Sequence, residues 1–327
     1  MESSLRFLRH WAEVLPVFAL QGLIALLPLM WVPRIGEFLG WLAFDILHFR
    51  RGVSLRNLAL ATGDRYSDQE RVRLGREAYR SFGSLAMEFL AMNRIPLERM
   101  ERHMVLENIE ALWSALREGK GVLLVTGHFG NWELTAAAMN AAGIPLSVYV
   151  GRQRNPIFDK LINGIRRRAG SETVHKSVVM KGFLKSLKAN RVMAILADQH
   201  DTQKRYYVSY FGRPVSAAPG PATIARRTGS PIVFMASIRE GRFRYRSVFR
   251  RLDYEVTDDA ERDILTITQK LFHELESEVS RHPGQYFWMH NRWRPIPPSV
   301  QLSEINRAFL AGRVAAEHLP PRAPEPS

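Results

Sequence analysis

The chain has 327 residues, 46% of them hydrophobic, and no cysteine, so it can bury a sizeable core but cannot form disulfides, a thiolate nucleophile or a cysteine zinc site. A formal net charge of +14 calls for an acidic partner. With no zinc-finger spacing, no RRM-type aromatic motif and no basic-region heptads, nothing in the sequence makes that partner a nucleic acid, and an anionic membrane or a phosphorylated substrate fits better.

Along the chain, the first feature is the stretch Val14–Val32, which carries no charged residue and has Trp11 ahead of it and Trp31 near its end as interfacial anchors. At ~1.5 Å per residue such a run spans about 28 Å of helix, close to the thickness of a hydrocarbon core. It predicts an N-terminal membrane anchor, either spanning or folded as an interfacial hairpin with a second apolar stretch, Phe38–Leu47. Ser67-Asp-Gln-Glu70 is a capping box that opens an amphipathic helix towards Met92, and Asn108 is a candidate cap for a helix over Ile109–Leu116. Strands and helices then alternate. The predicted strands are Gly121–Thr126, Leu146–Val150, Val192–Ala197, Pro231–Ile238 and Phe243–Phe249. The predicted helices are Asn131–Ala142, Pro156–Arg168, Gly182–Ala189, Pro221–Arg227 and Ala260–Arg281. Alternation of this kind predicts an α/β fold with a mixed central sheet flanked by helices. The expected organisation is an anchor and basic segment over residues 1–60, a catalytic domain over 61–300, and a terminal segment over 301–327 ending in a disordered proline-rich tail.

Residues Gly121–Glu133 read GVLLVTGHFGNWE and carry the chemistry. A short apolar strand runs into a glycine-flanked histidine, after which Asn131 caps a helix with Glu133 in its first turn. Strand-to-helix turns at the C-terminal edge of a sheet are where α/β folds assemble their sites. His128 is the candidate general base, with Glu133 five residues on as the carboxylate that orients and charges the imidazole. Gly127 and Gly130 let substrate approach the backbone and leave turn amides free for an oxyanion, beside Asn131. No serine or cysteine stands between them, so the attacking group must belong to the substrate. Arg152 and Arg154 follow a strand at the same edge and suit a phosphate. Asp198 and Gln199 end another strand facing that cleft, with Asp198 able to orient substrate or a basic side chain, or simply to cap a turn. Arg166–Arg168, Lys181, Lys185 and Lys188 read as a basic helical surface. Trp288 and His290 read as packing. His200 and Asp201 lack the spacing of a metal site, and none is expected.

The HFGNWE block resembles the first signature of the lipid A biosynthesis acyltransferases, within the wider lysophospholipid acyltransferase superfamily. Further stretches are similar in the same order: His48-Phe-Arg-Arg with Ser54-Leu-Arg-Asn57-Leu, Val148–Pro156, Ile195–Gln199, Phe211–Pro214 with Gly229–Phe234, and Pro283–Arg294. The resemblance covers roughly residues 5 to 297. It departs at Val150 and Gly151, which intervene where the family arginine directly follows the strand tyrosine, so Arg152 and Arg154 both stay candidates. The glycerolipid branches more often carry aspartate where this chain has Glu133. The resemblance implies an O-acyltransferase using the H-x4-E pair and no cofactor. It implies an acyl carrier protein thioester as donor and a hydroxyl on a phosphorylated lipid A precursor as acceptor, at the cytoplasmic face of an inner membrane. Another acceptor (a glycolipid mannose, a lysophospholipid or an aminolipid), a coenzyme A donor and a non-catalytic lipid-binding role stay open.

Overall fold

The computed structural model describes residues 2–175, 179–201, 206–297, 300 and 302–319. The N-terminal third is helical: α1 (Glu2–Leu26), α2 (Val32–Trp41), α3 (Arg51–Thr62) and α4 (Asp68–Ala91). The α/β part then runs β1 (Met104–Glu107), α5 (Glu110–Leu116), β2 (Val122–Thr126), α6 (Trp132–Ala141), β3 (Leu146–Val150), α7 (Pro156–Arg168), β4 (Glu172–His175), α8 (Val179–Lys188) and β5 (Val192–Leu196). It closes with β6 (Tyr207–Tyr210), β7 (Arg213–Ser216), α9 (Gly220–Thr228), β8 (Ile232–Gly241), β9 (Arg244–Leu252), α10 (Ala260–Arg281) and α11 (Glu304–Leu310).

Seven strands form one sheet in the order β1-β9-β8-β2-β5-β3-β4, parallel throughout except for the β8–β9 hairpin. This is the expected α/β architecture. Strand β2 is buried along its whole length, and its side chains alternate between two cores, as a strand covered on both faces must. Val122 and Leu124 meet α5 and α6 through Leu112, Leu116 and Met139. Leu123 and Val125 face the opposite core, built with Phe183, Ala222, Leu271 and Leu275. The β6–β7 pair forms a separate two-stranded sheet, and Tyr207 packs with Leu302 and Leu310 of the C-terminal segment. The expected proline-rich tail falls largely on residues 320–327, outside the described residues.

Two local expectations are corrected. Ser67 closes the capping box with Glu70 as predicted, but Asn108 is not the cap of α5. It sits in the left-handed region at φ 59° and donates Nδ2 to the Phe249 carbonyl, tying the turn to β9. The larger correction concerns the anchor. The apolar run is not one helix: α1 ends at Leu26, and Pro28, extended at φ −55° and ψ 139°, precedes a short 3-10 turn before α2. Arg94 captures the Ile24 and Leu27 carbonyls at this break. The uncharged part of α1, Val14–Leu26, rises only ~20 Å against the ~30 Å of a hydrocarbon core. Among the described residues no helix is long and apolar enough to cross a membrane.

The N-terminal helices are fixed to one another and to the α/β part. Ser84 of α4 donates to the Pro33 carbonyl of α2, and Asp45 forms a two-point pair with Arg76. Asn155 caps α7 while donating to the His10 carbonyl and to Glu13, which seats α1 on α7. The outward faces of α1 and α2 remain apolar, with Phe7, Leu15, Leu26, Trp31 and Phe38 all more than half exposed.

Candidate active site

Thr126 of β2 pairs with Leu196 of the parallel neighbour β5. Two residues beyond each strand stand His128 and Asp198, so the sheet register brings together groups 70 residues apart. Asp198 Oδ1 lies 2.6 Å from His128 Nδ1, and Oδ2 accepts from the His128 backbone N–H at 3.1 Å. Tyr286 donates its hydroxyl to the same Oδ2 at 3.1 Å, and Arg292 Nη2 is 3.4 Å away. Asp198 is only 3% exposed. Burial pushes its pKa up, but the opposing charge and hydrogen bonds of His128, the Arg292 guanidinium and the His128 amide outweigh that effect. The carboxyl is held well below the usual carboxylate range.

The carboxylate on the imidazole is therefore Asp198, where Glu133 was expected. Glu133 is buried in the first turn of α6 and faces α7, where Arg166 Nη2 lies 2.5 Å from Oε1 and Nε lies 3.1 Å from Oε2. The charges account for this choice. Arg166 is a permanent cation, 17% exposed, that claims the nearer carboxylate, while the imidazole already donates at Nδ1 to Asp198. Arg166 thus leaves the basic surface expected for it. Arg167, Arg168, Lys185 and Lys188 are exposed, and the Lys181 side chain is outside the described ones.

The turn itself is tightly determined. Gly130 has φ 59°, and a Cβ there would collide with the Ser237 carbonyl oxygen at 1.4 Å. A Cβ on Gly127 would meet Leu275 at 2.8 Å and Asp198 Cγ at 3.3 Å, so the missing side chain lets the carboxylate reach the loop. Of the amides expected to be free, those of residues 128–131 are engaged. That of His128 donates to Asp198, Phe129 to the Gly127 carbonyl, Gly130 to the Gln285 carbonyl and Asn131 to Ser237 Oγ. Asn131 caps α6 through Leu134 N and gives Nδ2 to Glu88, so both ends of its amide are turned inward. Glu88, fully buried, also accepts from Arg239, Tyr245 and the Phe243 amide, fixing the start of α6 to α4 and the β8–β9 hairpin. Arg152 and Arg154 are exposed on the β3–α7 loop, and no contact joins them to the imidazole.

The closing segment supplies what the sequence reading missed. Asn57 of α3 donates to the Trp288 and His290 carbonyls at 2.8 and 2.6 Å, and Phe287 N donates to the His128 carbonyl. This pins residues 286–292 across the site and delivers Tyr286 and Arg292 to Asp198. Trp288 is packing, as expected, at 1% exposure. His290 has a buried Nδ1 with no hydrogen-bond partner among the described residues, and burial with the neighbouring Arg292 charge pushes its pKa down to about 4. A histidine held neutral stabilises the fold fully above its unfolded value of ~6.5, and this contribution is lost as pH falls towards 4. Between pH 6.5 and 4.5 the wild type is expected to lose about 1–2 kcal/mol more than His290→Gln, after discounting for partial solvent access. Paired urea titrations across that range measure the difference.

A narrow apolar slot of about 50 Å³, lined by neither His128 nor Asp198, runs between α6 and the sheet. Trp132, whose ring centroid is 5.1 Å from that of His128, lines one end of it with Thr126, Glu133 and Arg166. Deeper along the strands it is closed by Leu124, Leu146, Met139 and Met235. A wider cleft of about 520 Å³, on the α4 side of residues 283–285, contains neither His128 nor Asp198.

An imidazole held at Nδ1 by a buried carboxylate is an arrangement suited to taking a proton from a hydroxyl. The family model for bacterial lipid A biosynthesis acyltransferases matches residues 1–295. The chain is 26% identical to the lipid A biosynthesis myristoyltransferase of Escherichia coli K12 over 88% of both chains. It is 27% identical to the lauroyltransferase of the same organism, over 89% of this chain and 94% of the relative. It is 24% identical to a phosphatidylinositol mannoside acyltransferase of Mycolicibacterium smegmatis, over 78% and 82%. With a match over nine-tenths of its length and relatives that are acyltransferases, the chain belongs to the bacterial lipid A biosynthesis acyltransferase family.

Proposed function

We propose that this acyltransferase moves a fatty acyl chain from an acyl carrier protein thioester to a hydroxyl of a phosphorylated lipid A precursor, at the cytoplasmic face of an inner membrane. The observation that carries this reading is the buried His128–Asp198 pair, whose imidazole packs edge-on against Trp132, a residue that also lines a narrow apolar slot. Asp198 keeps the proton on Nδ1, leaving the Nε2 lone pair to take the acceptor's proton. The acceptor oxygen attacks the thioester carbonyl, the C–S bond breaks, and the imidazolium returns its proton to the departing thiolate. Glu133 acts by holding Arg166 at the mouth of the slot, where the guanidinium offers its remaining N–H groups to the tetrahedral oxyanion. This role replaces the amides of residues 128–131, which are engaged elsewhere. Exchange of a thioester for an ester calls for positioning, a base and electrostatics, and no cofactor.

The exposed apolar faces of α1 and α2 support an interfacial seat for residues 1–60 ahead of the catalytic domain, 61–300, and the terminal segment, 301–327. Trp11, Trp31 and Trp41 sit on those faces, with Arg6, Arg9 and Arg34 able to reach anionic headgroups. Arg152, Arg154, Arg167 and Arg168 provide exposed positive charge for an acidic carrier protein or the acceptor phosphates.

Similarity to phosphatidylinositol mannoside acyltransferases favours a second acceptor class, a mannose hydroxyl of a glycolipid. The deciding experiment is a transfer assay with radiolabelled acyl carrier protein thioester and either a tetra-acylated, Kdo-bearing lipid A precursor or a phosphatidylinositol mannoside, with His128→Ala as blank. Product on the lipid A precursor alone supports the reading. Product only on the mannoside replaces the acceptor, and wild-type product no greater than the blank on either removes the proposed chemistry.

A further inference from the structure

His128 Nε2, the atom left to act as base, is engaged by the side-chain amide of Gln199, whose Nε2 lies 3.2 Å away. Because Nδ1 faces the Asp198 carboxylate at 2.6 Å, it carries the proton, so the second ring nitrogen is an acceptor and the glutamine NH2 donates to it. Trp132 lies edge-on to the ring at 5.1 Å and Phe287 lies tilted against it at 5.8 Å. With both flanks covered and the imidazole 19% exposed, the route to Nε2 passes through the place of the Gln199 amide. Gln199 itself is exposed. It follows directly on the buried Asp198, and the Ala197 amide is bonded to the Thr126 carbonyl, so its backbone is fixed while its side chain can rotate into solvent.

We propose that Gln199 guards the base, holding the Nε2 lone pair until an acceptor hydroxyl displaces its amide. The inference rests on the acyl-transfer reading with His128 as base. A thioester beside an open base is exposed to water, which would attack the carbonyl carbon and release free fatty acid and thiol. A loose water molecule must displace a tethered donor and lose orientational freedom in doing so. A hydroxyl presented by its own bound lipid has already lost that freedom, so it displaces the amide more readily. Once displaced, the amide remains beside the reacting centre and can donate to the incoming oxygen. The guard therefore biases the enzyme against hydrolysis without closing the site.

The test uses the full-length purified enzyme and an acyl carrier protein thioester. Thiol release without acceptor reports hydrolysis, and radiolabelled lipid product with acceptor reports transfer. Gln199→Ala is expected to raise the ratio of hydrolysis to transfer by about five- to tenfold, the occupancy change that one ordinary hydrogen bond makes. It is also expected to speed modification of His128 by diethyl pyrocarbonate, followed by mass spectrometry of the His128 peptide. An unchanged ratio with an unchanged modification rate overturns the guard. So does an equal fall in hydrolysis and transfer, which makes Gln199 a donor to the transition state and nothing more. Transfer by His128→Ala at the wild-type rate sinks the acyl-transfer reading itself, separately from any result at Gln199.

Discussion

Asp198→Asn is expected to lower kcat for acyl transfer by about 10³–10⁴-fold with KM for either substrate changed less than about threefold. The carboxylate accepts from His128 Nδ1 at 2.6 Å and from the His128 amide at 3.1 Å, so it sets both the tautomer and the place of the ring. An asparagine can turn its NH2 towards Nδ1, which drives the proton to Nε2 and removes the lone pair that takes the acceptor's proton. It also loses the negative charge that stabilises the imidazolium once formed. Glu133→Gln should behave differently, because Glu133 contacts Arg166 and not the ring. Weakening that pair frees the guanidinium to move, for which a loss of about 10- to 100-fold is expected. Steady-state kinetics of the two variants, with circular dichroism to establish folding, separate the roles. Were Glu133→Gln the more damaging in kcat and Asp198→Asn nearly active, Glu133 would be the carboxylate serving the base.

The contrast between these carboxylates shows what the sequence can and cannot convey. Strand β2 and helix α6 were readable because their signals are local: a five-residue apolar run, then an asparagine whose side chain accepts from Leu134 N. The bounds of β3, α7 and α10 coincide with those predicted, since apolar periodicity and the prolines or acidic caps that punctuate it act over one element at a time. Strands β1, β4, β6 and β7 were missed because each has four residues and each carries polar or charged positions. Partner choice is a property of register. Glu133 is near His128 in sequence and turns to α7, while Asp198 arrives from 70 positions away because β5 pairs with β2 in parallel. Likewise, the uncharged run at the N-terminus suggested a span because hydropathy counts residues, whereas Pro28 decides where the helix stops. Arg166 read as surface for the same reason: three consecutive arginines look alike in sequence, and only helix rotation turns the first inward.

Arg292 was invisible to local reading, and its removal should have the largest effect on stability. Its side chain is 2% exposed, with Nη2 3.4 Å from Asp198 and 3.4 Å from the Tyr286 hydroxyl. Nε and Nη1 are buried without a hydrogen-bond partner among the described residues, so the guanidinium is an expensive group to keep. Such a group is retained through what it does for its neighbour, because Asp198 is itself buried and accepts more positive partners than negative ones. Arg292→Met leaves that carboxylate with His128 and Tyr286 alone, and the fold is expected to lose about 3–5 kcal/mol, the range for removing one side of a buried pair. Part of the loss belongs to packing of the guanidinium near the Phe272 ring, whose centroid is 5.9 Å from Cζ. A double-mutant cycle isolates the charge. In an Asp198→Asn background the cost of Arg292→Met should fall by about 1.5–3 kcal/mol, because no anion remains to be left uncompensated. Equal costs in the two backgrounds, measured by urea unfolding at constant pH, would make Arg292 a packing residue indifferent to the base. A smaller cost beside asparagine makes the closing segment, pinned by Asn57, the support that keeps Asp198 ionised and His128 in place.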